Sequence, residues 1–261
     1  MAALGAGAPG LLIGSILGQS AGTFGLLNRV LGTRKELLKA ISWRRMMFLA
    51  NRYRRFPLIA SWTAVLDAAG SNQLLYLLVS TQYSTTIAGF IFLVERVVAR
   101  PLSMVGTSIL QVFVAEAGQT ASTDPEKLKR RFRQIVIHQF YLAIAWVALA
   151  NVAAIAFFPL AFGPDWSGAI VYLQAMSLGY LAQAIVLPVF HTLQLLERQV
   201  TAATWQISRV VLTVAIFALG AHFGVKAPWV IFSYSVLHAA ACGILLLLME
   251  SAIKKLPREK R

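Results

Sequence analysis

The stretch "AGFIFLVERVVARPLSMVG", residues 88–106, sets Glu95, Arg96 and Arg100 in a run otherwise apolar enough to lie in lipid, and then adds Pro101. These residue types can do chemistry. A guanidinium is a rigid fork of N–H donors that matches phosphate or carboxylate oxygens. A carboxylate can neutralise such a cation. A proline lacks the backbone N–H and so frees a carbonyl one turn back. Two more ionisable residues, Asp67 and Arg209, also lie inside apolar runs. Each of the five costs about 2.5–3.5 kcal/mol at the centre of a membrane helix. They are therefore expected to face a bundle interior or a water-filled cavity. Arg96 and Arg100 are four apart and share one face of a regular helix, whereas Glu95 points about 100° away.

Two readings of these five residues stay open at this level. In one, Asp67 and Glu95 neutralise two arginines in a structural ion-pair network. In the other, Asp67, Glu95, Arg96, Arg100 and Arg209 line a basic cavity for an anionic substrate, with three bases against two acids. Gln183 and Gln206 are candidates for the wall of a sugar path. His138 and His191 lie near helix ends and read as interfacial. Trp146 and Trp205 read as belt or packing residues.

The elements that must position these residues are long apolar helices. The 261 residues are 58% hydrophobic and only 13% charged, against about 25% charged in an ordinary soluble domain. Seven spans of about 20 residues or more fit a hydrocarbon core of roughly 30 Å. They cover approximately residues 9–31, 57–81, 85–112, 134–158, 168–193, 201–222 and 227–250. The runs are continuous rather than alternating, which excludes barrel strands. The expected fold class is all-α, a polytopic membrane helical bundle of about seven transmembrane helices. At 1.5 Å per residue, Asp67 and Glu95 lie roughly 15 Å, and Arg209 roughly 12 Å, into their spans.

The net charge of +14 would suggest nucleic acid in a soluble protein. Here 19 of the 24 Lys and Arg residues fall in residues 32–56, 127–133, Arg198 and the tail from Lys254, all on one side of an alternating seven-span chain. That is the positive-inside pattern. It places the C-terminus in the cytoplasm and the N-terminus of this chain outside. No nucleic-acid partner is expected. Cys242 is the single cysteine, so neither a disulfide framework nor a metal cluster is expected. With no phosphate loop and no nucleophile elbow, the chain is expected to be neither an enzyme nor cofactor-dependent.

The linker 32–56, "GTRKELLKAISWRRMMFLANRYRRF", mixes basic with aromatic and aliphatic residues. Such a stretch suits the headgroup layer of a membrane. In "STDPEKLKRRFRQ", Thr123 or Asp124 can cap a helix that Pro125 and Glu126 begin. A short cytoplasmic helix leading into the fourth span is predicted there. Pro159, Gly163 and Pro164 predict an outer turn.

The segments "NRYRRFPLIASWTAVLDAAG" (51–70) and "AGFIFLVERVVARPLSMVGTSILQVFVAEAG" (88–118) resemble polysaccharide and O-antigen flippases of the bacterial MOP exporter superfamily. "DPEKLKRRFRQ" and "FFPLAFGPDWSGA" resemble that family's following loop and outer turn. The resemblance implies two lobes of six helices around a charged central cavity. It implies translocation of undecaprenyl-pyrophosphate-linked oligosaccharide across the bacterial inner membrane. Residues 1–31 would then be the last helix of the N-terminal lobe, 32–56 a basic cytoplasmic linker, 57–250 the six-helix C-terminal lobe and 251–261 a basic tail. The chain is expected to be a fragment of the transporter, or one part of a split carrier. Its partners would be the lipid-linked oligosaccharide, membrane lipids, and the missing N-terminal lobe or a second chain. The alternatives are a cation-coupled multidrug exporter of the same superfamily, a membrane-embedded enzyme and a non-transporting scaffold subunit.

Overall fold

The computed structural model describes residue 20, residues 42–52, residues 72–196 and residues 198–255. All of the first expected span but residue 20, most of the second, Asp67, the seam at residue 56 and the last six residues of the tail lie outside the described residues. The chain divides into two compact units, residues 1–61 and 62–261.

In the first unit, α1 is Trp43–Arg52. Trp43, Met47 and Phe48 are exposed on it, as is Arg44. This mixture of large apolar and basic groups on one short helix is the composition of an interfacial helix.

The second unit is all-helical among the described residues. Its elements are α2 (Asn72–Gln82), α3 (Thr85–Val94), a π-helical turn (Glu95–Ala99), α4 (Arg100–Thr123), α5 (Pro125–Phe162), a 3-10 turn (Pro164–Gly168), α6 (Ala169–Val186), a second 3-10 turn (Leu187–Val189), α7 (Thr192–Leu195), α8 (Gln199–His222) and α9 (Ala227–Lys254). Among the described residues, five helical stretches are long and apolar enough to cross a membrane: Thr85–Gly118, Pro125–Phe162, Pro164–Leu195, Gln199–His222 and Ala227–Lys254. They are the last five of the seven expected spans. The count of seven is therefore shown only as five.

Local chemistry sets the breaks. Ser84 caps α3, its Oγ accepting from the Ile87 N–H at 3.1 Å. Asp124 caps α5, its Oδ1 accepting from the Lys127 N–H at 2.9 Å, with Pro125 in the first turn. The cap was legible, but the separate short helix is absent: α5 runs unbroken for 38 residues. Pro159 lies inside α5, and the chain turns only at Gly163, whose φ of 100° suits glycine. Tyr83, in the α2–α3 turn, donates to the Val225 carbonyl at 3.2 Å; its partial burial pushes the hydroxyl pKa up.

α6 is the central helix, packed on α9, α5 and α3. Its approach to α9 is close enough that the Gly179 N–H donates to Ser235 Oγ at 2.8 Å. Small residues that let backbones approach are the usual means of association in lipid, where apolar burial supplies little drive. One large apolar cluster, including Leu75, Ile91, Phe158, Leu173, Phe217 and Ile231, fills the end of the bundle where the Tyr83 and Gly163 turns lie. A second, including Phe113, Phe132, Leu193, Leu245, Met249 and Ile253, fills the end bearing the α4–α5 hairpin.

Candidate functional site

The site begins with a break in helical regularity. Pro101 has no N–H to return to the carbonyl four residues back. Ahead of it the helix widens: the Arg100 N–H reaches the Glu95 carbonyl, five residues back, and residues 95–99 form a π turn. Such turns often mark functional positions. Next to it, the Trp146 indole N–H on α5 donates to the Val98 carbonyl at 2.9 Å. A side chain thus adds a hydrogen bond to the backbone in this stretch.

The wider turn alters which side chains meet. In a regular helix, residues five apart are about 140° apart around the axis. Here Glu95 Oε1 lies 3.4 Å from Arg100 Nη2. The other carboxylate oxygen accepts from the Tyr76 hydroxyl on α2. Glu95 is buried, 7% exposed, whereas the Arg100 side chain is 58% exposed. Arg96 takes another course. It is exposed, and its guanidinium lies 5.0 Å from the Phe92 ring centre.

A cavity of about 580 Å3 lies against this stretch, within the usual range for ligand sites. Glu95, Arg100 and Arg209 all line it; Arg96 does not. Arg209, on α8, stands 5.2 Å over the Trp205 ring. Trp205 is itself anchored, its indole N–H donating to the Ala241 carbonyl on α9 at 2.8 Å. Gln183 and Gln206, expected on a sugar path, are both on the wall. The mouth is edged by Gln73, Arg100 and Thr107, which are exposed. Two guanidiniums and one carboxylate make the described lining net positive with histidine neutral.

Among the lining residues that escaped the sequence reading, two stand out. His238 on α9 is 7% exposed, stacks on Tyr234 with ring centres 5.8 Å apart, and has Nε2 3.8 Å from Cys242 Sγ. Its Nδ1 has no hydrogen-bond partner among the described residues. A search for charged residues inside spans passes over histidine, yet the same depth rule applied to "YSVLHAAAC" finds it. Tyr76 is the other. It faces Glu95 because α2 and α3 form a hairpin about Tyr83 and Ser84, and folding the sequence back there brings the two to similar depth. His191 also lines the cavity, its Nδ1 2.7 Å from Gln194 Oε1, while His138 belongs to a different groove.

The arrangement can hold an anion against two guanidiniums, orient hydroxylated groups against amides and tyrosines, and keep a carboxylate away from bulk water. No group of three or more metal-binding side chains occurs among the described residues. Comparison of the chain with models of protein families, with curated proteins and with solved structures finds no match in any of the three.

Proposed function

We propose that this chain supplies the second lobe of a carrier that moves a lipid-linked oligosaccharide, anchored on undecaprenyl pyrophosphate, across a bacterial inner membrane for polysaccharide or O-antigen export. The observation that carries the reading is the net-positive cavity bearing Arg100 and Arg209 between helices of membrane-crossing length. The arginines hold the pyrophosphate, whose paired charges suit guanidinium forks. Gln183, Gln206 and the two tyrosines on the wall, Tyr76 and Tyr180, face the sugar. The lipid tail stays in the bilayer. Rocking of this lobe against a second one, on the same chain or another, exchanges access. The π turn before Pro101 is the softened joint, and the basic tail faces the cytoplasm.

Glycan export in the host cell tests this. Arg100→Ala and Arg209→Ala each lower export about tenfold or more, the loss of one charge-assisted contact to phosphate, while protein level and folding stay normal. Arg198→Ala, on an exposed loop, leaves export unchanged. Normal export in both cavity variants overturns the reading.

A second reading is favoured by the Tyr76–Glu95–Arg100 cluster, in which both Glu95 carboxylate oxygens have protein partners without a ligand. A scaffold subunit would tolerate the neutral double variant Glu95→Gln/Arg100→Gln; a carrier would not. The cation-coupled exporter is separated by Glu95→Gln alone, which would abolish its transport while the arginine variants kept theirs.

A further inference from the structure

A second cavity, of about 560 Å3, opens between α4 and α5 near their hairpin at Asp124. It belongs to no part of the site above. Its polar end is built by Glu116 and Arg131, whose side chains meet across the two helices with Nε 3.0 Å and Nη2 3.4 Å from the carboxylate oxygens. Both are about half exposed. Two of the five guanidinium N–H groups face Glu116, and three are left for another acceptor.

Formal charge is confined to the hairpin end of the groove; the deeper wall is mostly apolar, with His138 and Ser108, whose hydroxyl donates to the Met104 carbonyl, as its polar members. Glu116 and Arg131 lie roughly 10–12 Å from the hairpin along the helix axes, Val112 and Ile135 roughly 17 Å, and Ile109 more than 20 Å. Phe113 is buried beneath, while Val112 is 56% exposed and forms an apolar rim. His138, about 10 Å beyond Arg131, adds one hydrogen-bonding group below the charged end. With its charged pair at the hairpin end and Ile109, Val112, Phe113 and Ile135 along helices of membrane-crossing length, the groove offers a charged site beside an apolar wall, as a phospholipid requires.

The sign of the headgroup follows from the charges around it. On α5, Lys127, Arg131, Gln134 and His138 recur at intervals of four, three and four residues, which puts them on one helix face. Residues 116–134 hold five Lys and Arg against three carboxylates. A zwitterionic headgroup gains little from that surplus, and an anionic one gains about 1 kcal/mol per nearby cation.

We propose that the α4–α5 groove seats an anionic glycerophospholipid of the phosphatidylglycerol type, with its phosphate on Arg131 and Lys127 and one acyl chain along Val112 and Ile109. The proposal needs these helices to lie in a membrane but does not rest on the carrier reading, and its test measures binding without transport. The full chain in mild detergent is titrated with phosphatidylglycerol and, separately, with phosphatidylethanolamine of the same acyl chains. Bound lipid is read by native mass spectrometry. Phosphatidylglycerol binds about tenfold tighter. Lys127→Ala/Arg131→Ala erases that preference, and Arg198→Ala keeps it. Val112→Trp fills the groove without touching a charge and weakens both lipids; should the arginine variant fail to fold, this variant decides. Equal binding of the two lipids by the unmodified chain overturns the proposal. So does unchanged phosphatidylglycerol binding in Val112→Trp that melts like the unmodified protein.

Discussion

The α6–α9 contact and the stretch from α3 into α4 cross the same apolar layer by opposite means. Along α6 and α9 the helices are regular, and glycine and serine bring the backbones together. A Cβ at Gly179 would stand 3.1 Å from Ser235 Oγ and 3.5 Å from the Ser235 Cα. The nearer contact is tighter than ordinary van der Waals packing, so Ser235 would have to give by a few tenths of an ångström and loosen its bond to the Gly179 N–H. Between α3 and α4 the regular ladder is interrupted and a carboxylate is buried; Tyr76 and Arg100 bind that carboxylate, and the Trp146 indole adds a hydrogen bond to the Val98 carbonyl. The first region fixes distances. The second holds polar groups in place through side-chain hydrogen bonds.

That contrast can be broken most severely at Gly179. Leucine there has no room, and Gly179→Leu lowers stability by about 3 kcal/mol or more, read as a fall in the thermal midpoint in detergent. Gly89→Leu, where an added Cβ meets nothing within 4 Å, leaves the midpoint nearly unchanged. Next comes Glu95→Leu. It strands the Tyr76 hydroxyl and removes the partner of Arg100, at a cost of about 1–3 kcal/mol. Glu95→Gln, which keeps an acceptor for Tyr76, costs less. The smallest effect is Trp146→Phe. It loses one hydrogen bond, about 1 kcal/mol, but hydrogen exchange speeds up specifically across residues 95–102. Equal acceleration along α6 would erase the distinction between the two regions.

Much of this was legible in the residues themselves, for definite reasons. Burial of charge in lipid is so costly that all five ionisable residues are expected to face inward; Glu95, Arg100 and Arg209 line the cavity, Arg96 lies exposed off it, and Asp67 is outside the described residues. Asp124 and Pro125 marked the start of α5 through their own side-chain and ring chemistry. The rest needed three dimensions. A regular period put Arg96 with Arg100 and sent Glu95 away; the π turn reverses this, and no residue count reveals where one extra residue enters a turn. Basic residues after Pro125 read as a separate surface helix, yet nothing in them stops helical hydrogen bonding, and α5 continues. Tyr76 and His238 carry no formal charge at neutral pH, so a search guided by charge left them in the background.

The unbroken α5 has a mechanical consequence. At 1.5 Å per residue its 38 residues extend about 57 Å, nearly twice a hydrocarbon core of roughly 30 Å. One rod therefore carries Arg131 near its basic end and Trp146 about 22 Å further along. It contains no hinge between them to absorb a tilt. Whatever leans on the basic end works a lever whose far contact is the Val98 carbonyl.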